Sequence, residues 1–210
     1  VPSPDMDLSR RDVLVMSYLP GKPLESLEVA TQAVRDRVVE LLFRLLFREM
    51  FEFRLVQTDP NFANYHYQEA TGRIVLFDFG ATRRYSRRII DGYRKLFRGV
   101  LGGERALILA GASAIGYFPE TIKVRHREDL LDLFVLATEP LAFSGSYDFA
   151  ASDLPLRLRE AGMVLSFEKG YWHNPPADAV FLHRKLGGIY LLAARLRARV
   201  DLRRIIEKYI

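Results

Sequence analysis

The sequence predicts an α+β protein, predominantly α, whose β structure clusters around a small hairpin and whose later part is an extended helical region. Three observations predict it. Apolar residues recur at helical spacing through most of the 210-residue chain. Runs of β-formers occur only before Gly80. No internal repeat, low-complexity tract or Gly/Ser linker divides the sequence, so residues 1–210 read as one domain, with 49% hydrophobic residues to fill a sizeable core.

Val13 to Tyr18 is a short apolar run stopped by Pro20 and Gly21, which fits a buried strand entering a turn. Over Gln32 to Phe53, apolar residues at Val34, Val38, Val39, Leu41, Leu42, Leu45, Leu46 and Met50 alternate with charges, giving a long amphipathic helix. Gln57 to Asn64, with Pro60 and two asparagines, is a loop. Tyr65 to Tyr67 and Arg73 to Phe77 read as two short strands joined by a hairpin-sized connection, with Asp78 at its end. After Gly80 the reading is helical: Arg87–Val100, Arg105–Ile115, Arg127–Thr138, Pro155–Ala161, Asp178–Arg199 and Asp201–Tyr209, separated by Gly, Pro or Ser, Gly170 among them.

Charge and composition bound the partners. The formal net charge of +5 suits an anion such as a nucleotide, acidic lipid headgroups or nucleic acid. The absence of cysteine excludes a disulfide framework and a thiolate metal site, and favours a reducing interior compartment. No apolar stretch approaches the roughly 18 to 20 residues that a membrane-spanning helix needs. The chain opens at Val1 without the charged and apolar regions of a signal peptide and reads as a piece of a longer protein.

The chemistry lies in two strings, QTDPNFAN at Gln57 to Asn64 and RIVLFDFG at Arg73 to Gly80. Kinase-type phosphoryl transfer needs hard oxygen ligands for magnesium and a carboxylate to orient the acceptor hydroxyl. An acid at Asp59, an amide at Asn64 and a second acid at Asp78, in that order around a hairpin, supply them. Asp78 and Asn64 are the candidate metal ligands and Asp59 the candidate catalytic acid. The blander alternative makes Asp59 and Asn61 turn formers and Asp78 a helix N-cap.

The order VLVMSYLPGKPL, long helix, QTDPNFANY, IVLFDFGATRRY and, far downstream, FLHRKLGGIYLLAARLRAR resembles the C-terminal half of the UbiB/AarF atypical kinase family, in its coenzyme Q biosynthesis branch. The resemblance implies a protein-kinase-like C-lobe with extra helices, binding ATP and Mg2+. It matches Asp59 to the catalytic-loop acid, and Asn64 and Asp78 to the metal ligands. Val15 to Leu19 become the hinge, so that Met16, Tyr18 and Leu19, with Phe79 and Gly80, meet the nucleotide. The rest of the N-lobe lies outside the chain on this reading, so the isolated segment is expected to bind MgATP weakly or not at all. Gln57 and Thr58 replace the His and Arg of an HRD motif, and Asn61 stands where a Ser/Thr kinase has a lysine. No A-P-E follows Gly80, only an echo at Phe118, Pro119 and Glu120. These departures turn the expectation from protein substrates toward ATP hydrolysis or a small-molecule acceptor.

Other groups have plainer readings. The basic cluster Arg83, Arg84, Arg87, Arg88, Arg94, Lys95 and Arg98 is first a solvated helix face and second a site for acidic or diphosphate-bearing prenyl lipids. Gly187 and Gly188, after His183, Arg184 and Lys185, are expected to let another helix approach. His66, His126 and His173 are scattered without zinc spacing, and Ser113 in GASAIG is not a hydrolase elbow. The aromatics sit at core spacing, so no nucleic-acid partner is expected.

The functional expectation is an atypical-kinase ATPase or small-molecule phosphotransferase supporting ubiquinone biosynthesis. The alternative is a non-catalytic pseudokinase scaffold that organises membrane-associated quinone-biosynthesis enzymes. A choline- or aminoglycoside-type kinase shares the acid, amide, acid order, but the HRK-x-GG segment argues against it. The expected location is the bacterial cytoplasm, peripheral to the inner membrane, with the matrix side of the mitochondrial inner membrane as the alternative.

Overall fold

The helical period over residues 32–53 builds the spine of the computed structural model, which describes residues 1–59, 61–119, 121–165 and 175–210. Pro60, Glu120, Gly170 and His173 of the sequence reading lie outside the described residues. A two-residue strand, β1 (Lys22–Pro23), and a 3-10 turn at Leu24–Val29 lead into α1 (Gln32–Arg48). Thr31 caps α1 by accepting the Val34 amide at 3.4 Å, which satisfies one orphan donor of the first turn. Val38, Val39, Leu42, Phe43, Leu46 and Phe47 form its buried stripe. The last turn of the expected helix is a π-helical turn, Glu49–Phe53, and Arg54 at φ 52° swings the chain into β2 (Leu55–Gln57).

A 3-10 turn at Phe62–Asn64 precedes the hairpin, β3 (Tyr65–Gln68) and β4 (Arg73–Leu76), paired from Tyr65 opposite Leu76 to Gln68 opposite Arg73. Gly72 closes the turn at φ 64°, a conformation that penalises any residue with a Cβ. β1 adds antiparallel to β3, and β2 pairs with β5 (Thr82–Arg84). Then come α2 (Arg87–Gly102), α3 (Arg105–Ile115), α4 (Val124–Ala137), α5 (Glu139–Ala142), β6 (Tyr147–Asp148), α6 (Leu154–Met163), α7 (Ala177–Arg195), β7 (Arg199–Val200) and α8 (Leu202–Ile206). Helices α2 and α3 touch backbone to backbone: a Cβ on Gly111 would stand 2.6 Å from the Gly92 carbonyl oxygen and from the Leu96 nitrogen. One apolar cluster runs from Leu24 through α1, α2 and α7 to Ile206.

Four expectations need correction. Val13 to Tyr18 is no buried strand: Val13, Leu14, Met16 and Tyr18 are exposed, and the segment makes only isolated bridges, Pro4 to Met16 and Arg10 to Val13. Among the described residues the segment joins no strand ladder. The helix read to Arg199 stops at Arg195, because Arg197 takes φ 49° and Arg199–Val200 pairs with β6. Structure after Gly80 is therefore not purely helical, since β5, β6 and β7 form short pairs. Of the paired glycines, Gly187 receives no close helix among the described residues: a Cβ there would meet nothing within 4 Å.

Candidate functional site

The loop carrying Asp59 and the segment carrying Asp78 are stitched together along their lengths. Gln57 pairs with Thr82 in the β2–β5 ladder. The Thr58 amide and hydroxyl both donate to the Ala81 carbonyl, at 2.9 and 2.6 Å. At the far end, the Phe77 amide donates to the Asn64 carbonyl at 3.1 Å. The Asn64 carboxamide then lies 3.4 Å from Asp78 Oδ2, while Asp78 Oδ1 accepts the Gly80 amide at 2.7 Å. Asp59 accepts the Asn61 amide at 3.2 Å through Oδ1, and Asn61 in turn caps the 3-10 turn by accepting the Ala63 amide. Asp59 and Asn61 are thus local turn formers as well. Asp78 is no N-cap, because α2 starts at Arg87 with Ser86 as its cap.

Asn64 and Asp78 fit a divalent cation by donor chemistry, since a carboxylate and a carboxamide provide hard oxygens from neighbouring backbone segments. No group of three or more acidic or histidine side chains is placed to hold a metal among the described residues. Oxygens from a phosphate and water would have to complete the shell, as is usual for magnesium.

Beside this edge is a cavity of about 330 Å³, lined by Met16, Tyr18 and Leu19 on one side and by His66 and Phe77 on the other. It falls within the range of small-molecule sites, roughly 300–1,000 Å³. His66 and Phe77 meet edge to face at 4.8 Å and form an aromatic wall. Phe77 lines it, and Phe79, expected at the nucleotide, is not among its lining residues.

A sequence profile described as the ABC1 atypical kinase-like domain matches residues 1–110, the part that carries both stitched segments and the cavity. The chain belongs to that family. It is 31% identical over 207 residues to the mitochondrial atypical kinase COQ8B of Rattus norvegicus, covering 99% of this chain and 39% of that protein. It is 30% identical over 202 residues to the mitochondrial atypical kinase COQ8 of Saccharomyces cerevisiae, again 39% of the relative's length. The chain thus spans well under half of these relatives. Among solved structures, the Mycobacterium tuberculosis protein Rv3197, solved in complex with erythromycin, superposes with a TM-score of 0.71 at 19% identity, over 100% of this chain and 52% of that one. The likeness establishes a shared fold, α+β and predominantly α.

Around the site of this ABC1 domain stand Glu49, which motif reading passed over, and Lys185 and Gln57, which it named without a structural role. Glu49, in the π turn, and Lys185, on α7, form an ion pair with side chains only 7% and 4% exposed. Burial pushes the Glu49 carboxyl up and the Lys185 ammonium down, and each charge opposes the other's shift. Gln57 is buried, and its Oε1 accepts the Tyr65 hydroxyl at 2.9 Å. The signal was present: Glu49 falls three residues after Leu46 and Lys185 three after Leu182, each charge on an apolar stripe.

The basic cluster divides. Arg83 pairs with Asp178 at 2.6 Å and lies over the Phe181 ring, and Arg94 binds the carbonyls of Phe51 and Tyr209. Arg84, Arg87, Arg88, Lys95 and Arg98 remain exposed. His183 is hydrogen-bonded to the Tyr117 hydroxyl at 2.6 Å. No helix among the described residues is long and apolar enough to cross a membrane.

Proposed function

We propose that this chain is the catalytic-loop half of an atypical-kinase ATPase or small-molecule phosphotransferase that supports ubiquinone biosynthesis. The supporting observation is the 3.4 Å approach of Asn64 to Asp78 beside the cavity lined by Met16, Tyr18 and Leu19. Asn64 and Asp78 would hold Mg2+, which would supply positive charge to neutralise phosphate. His66 and Phe77 give the adenine of ATP an apolar wall, with the backbone of residues 16–19 opposite. Asp59 orients the attacking hydroxyl or water and accepts its proton as the new P–O bond forms and the terminal phosphoanhydride bond breaks. Gly80 holds one oxygen of Asp78 through its amide and keeps the other turned toward Asn64.

The coenzyme Q assignment draws support from the COQ8 relatives. Their mitochondrial naming favours the mitochondrial alternative for location over the bacterial cytoplasm. Anionic or prenyl lipids and quinone-biosynthesis enzymes are the proposed partners. The test is MgATP turnover by the full-length protein beside its Asp78→Asn and Asp59→Asn variants. Loss of turnover in both supports the reading. Equal turnover in wild type and variants removes catalysis by this site and leaves the pseudokinase scaffold.

A further inference from the structure

The buried pair of Glu49 and Lys185 is poorly explained by stability alone. Taking two charges out of water carries a heavy desolvation cost, and an apolar pair of similar volume often holds a core as well or better. What distinguishes this pair is the rest of its surroundings. Glu49 also feels the backbone amide of Gln57, the first residue of the loop that carries Asp59 and Asn64. The Gln57 side chain is buried, and its Oε1 accepts from Tyr65, the residue that follows Asn64. Glu49 therefore stands beside the start of the loop, and the Gln57 side chain ties that start to Tyr65 at its end. The π turn that bears Glu49 ends in the left-handed Arg54 and runs straight into β2 and that loop.

We propose that Lys185 and Glu49 are positioning residues. The pair anchors both ends of the segment from Gln57 to Asn64, so that the late helix α7 sets the placement of Asp59 and Asn64. Lys185 acts by fixing the Glu49 carboxylate, and with it the π turn that runs into β2, without touching a nucleotide itself. The inference rests on the phosphoryl-transfer reading of the loop.

The experiment compares the full-length wild-type protein with Lys185→Met, Glu49→Gln and the double variant, measuring Tm, kcat and KM for MgATP, and amide hydrogen exchange over residues 55–64. Each single variant strands a buried charge or its partner and lowers Tm. The double variant removes the stranded charge and recovers most of Tm. Its kcat stays about 10- to 100-fold below wild type, the scale expected of a displaced catalytic group, with KM within about threefold. Exchange over residues 55–64 stays faster than in wild type. Recovery of kcat together with Tm in the double variant, or unchanged loop exchange in all three, overturns the proposal and leaves a purely structural pair. Failure of the underlying reading looks different: wild type and Asp78→Asn turn over ATP equally, and loop exchange alone then decides whether the pair anchors the loop.

Discussion

Thr58 donates twice to one acceptor: its amide and its hydroxyl both reach the Ala81 carbonyl oxygen, at 2.9 and 2.6 Å. A residue immediately before the candidate catalytic acid is thereby tied to the residue just past the Asp-Phe-Gly segment. A carbonyl oxygen has two lone pairs, so both donors are satisfied in a buried position.

Thr58→Val keeps the shape and removes only the hydroxyl donor, while the amide still satisfies the acceptor. The expected loss is about 0.5–1.5 kcal/mol, read as a Tm lower by about 1–6 °C. Thr58→Ser should stay close to wild type. A Val variant as stable as the Ser variant would show that the hydroxyl bond adds nothing.

Tyr65→Phe orphans Gln57 Oε1 in a site where Gln57 Nε2 already lacks a hydrogen-bond partner among the described residues. Stranding a buried acceptor costs about 1–3 kcal/mol, measurable by urea denaturation. Adding Gln57→Leu removes the stranded amide, and the double variant should regain part of the loss. A further drop of the same size in the double variant would show that the two side chains act independently.

Two glycine substitutions should move stability in opposite directions. Gly111→Ala drives a methyl to within 2.6 Å of backbone on α2, and overpacking of this kind costs about 1–3 kcal/mol. Gly187→Ala meets open space inside α7 and should stabilise by about 0.4–1 kcal/mol through the unfolded chain. Thermal melts of both variants check the contrast, and a destabilised Gly187→Ala would restore the expectation of a close helix there.

Acid should loosen the attachment of β6 and α6 before it unfolds the core. The Glu139 carboxyl is held below its ordinary value of 4.5, first by hydrogen bonding from Arg157 and then by the Tyr147 hydroxyl, against the opposing effect of burial. A depressed folded pKa contributes stability that is complete above the unfolded value and is lost as pH falls through the folded one. The stability gap between wild type and Glu139→Gln, followed by urea midpoints, should therefore be widest near neutrality and shrink below about pH 4.5. A gap that stays constant into acid would show that the ionised form has no special role.

How much of this was legible beforehand differs by element. The α1 stripe, the hairpin at residues 65–76 and the α2 and α3 boundaries could be read because period and turn chemistry are local properties. Strand β5, Thr-Arg-Arg, shows no apolar alternation, and its pairing with β2 depends on a partner many residues away. Val13 to Tyr18 misled for the converse reason: its apolar run specifies a preference for a sheet but not the presence of one. In the site, the order of Asp59, Asn64 and Asp78 stood in the motif, while nothing in the sequence paired Lys185 of the HRK-x-GG segment with Glu49, a charge within an apolar helical stripe.

The sequence by itself determined the amphipathic periods, the placement of turns and the order of the oxygen-bearing side chains, because each is a property of neighbouring residues along the chain. Only the tertiary structure decided that Lys185 meets Glu49, that the Gly111 backbone lies against α2, and that Met16, Tyr18 and Leu19 share a cavity with His66 and Phe77. Those outcomes depend on how helices and short strands dock. Docking is settled by mutual burial across the whole core, where a charge can be tolerated only if packing delivers its partner.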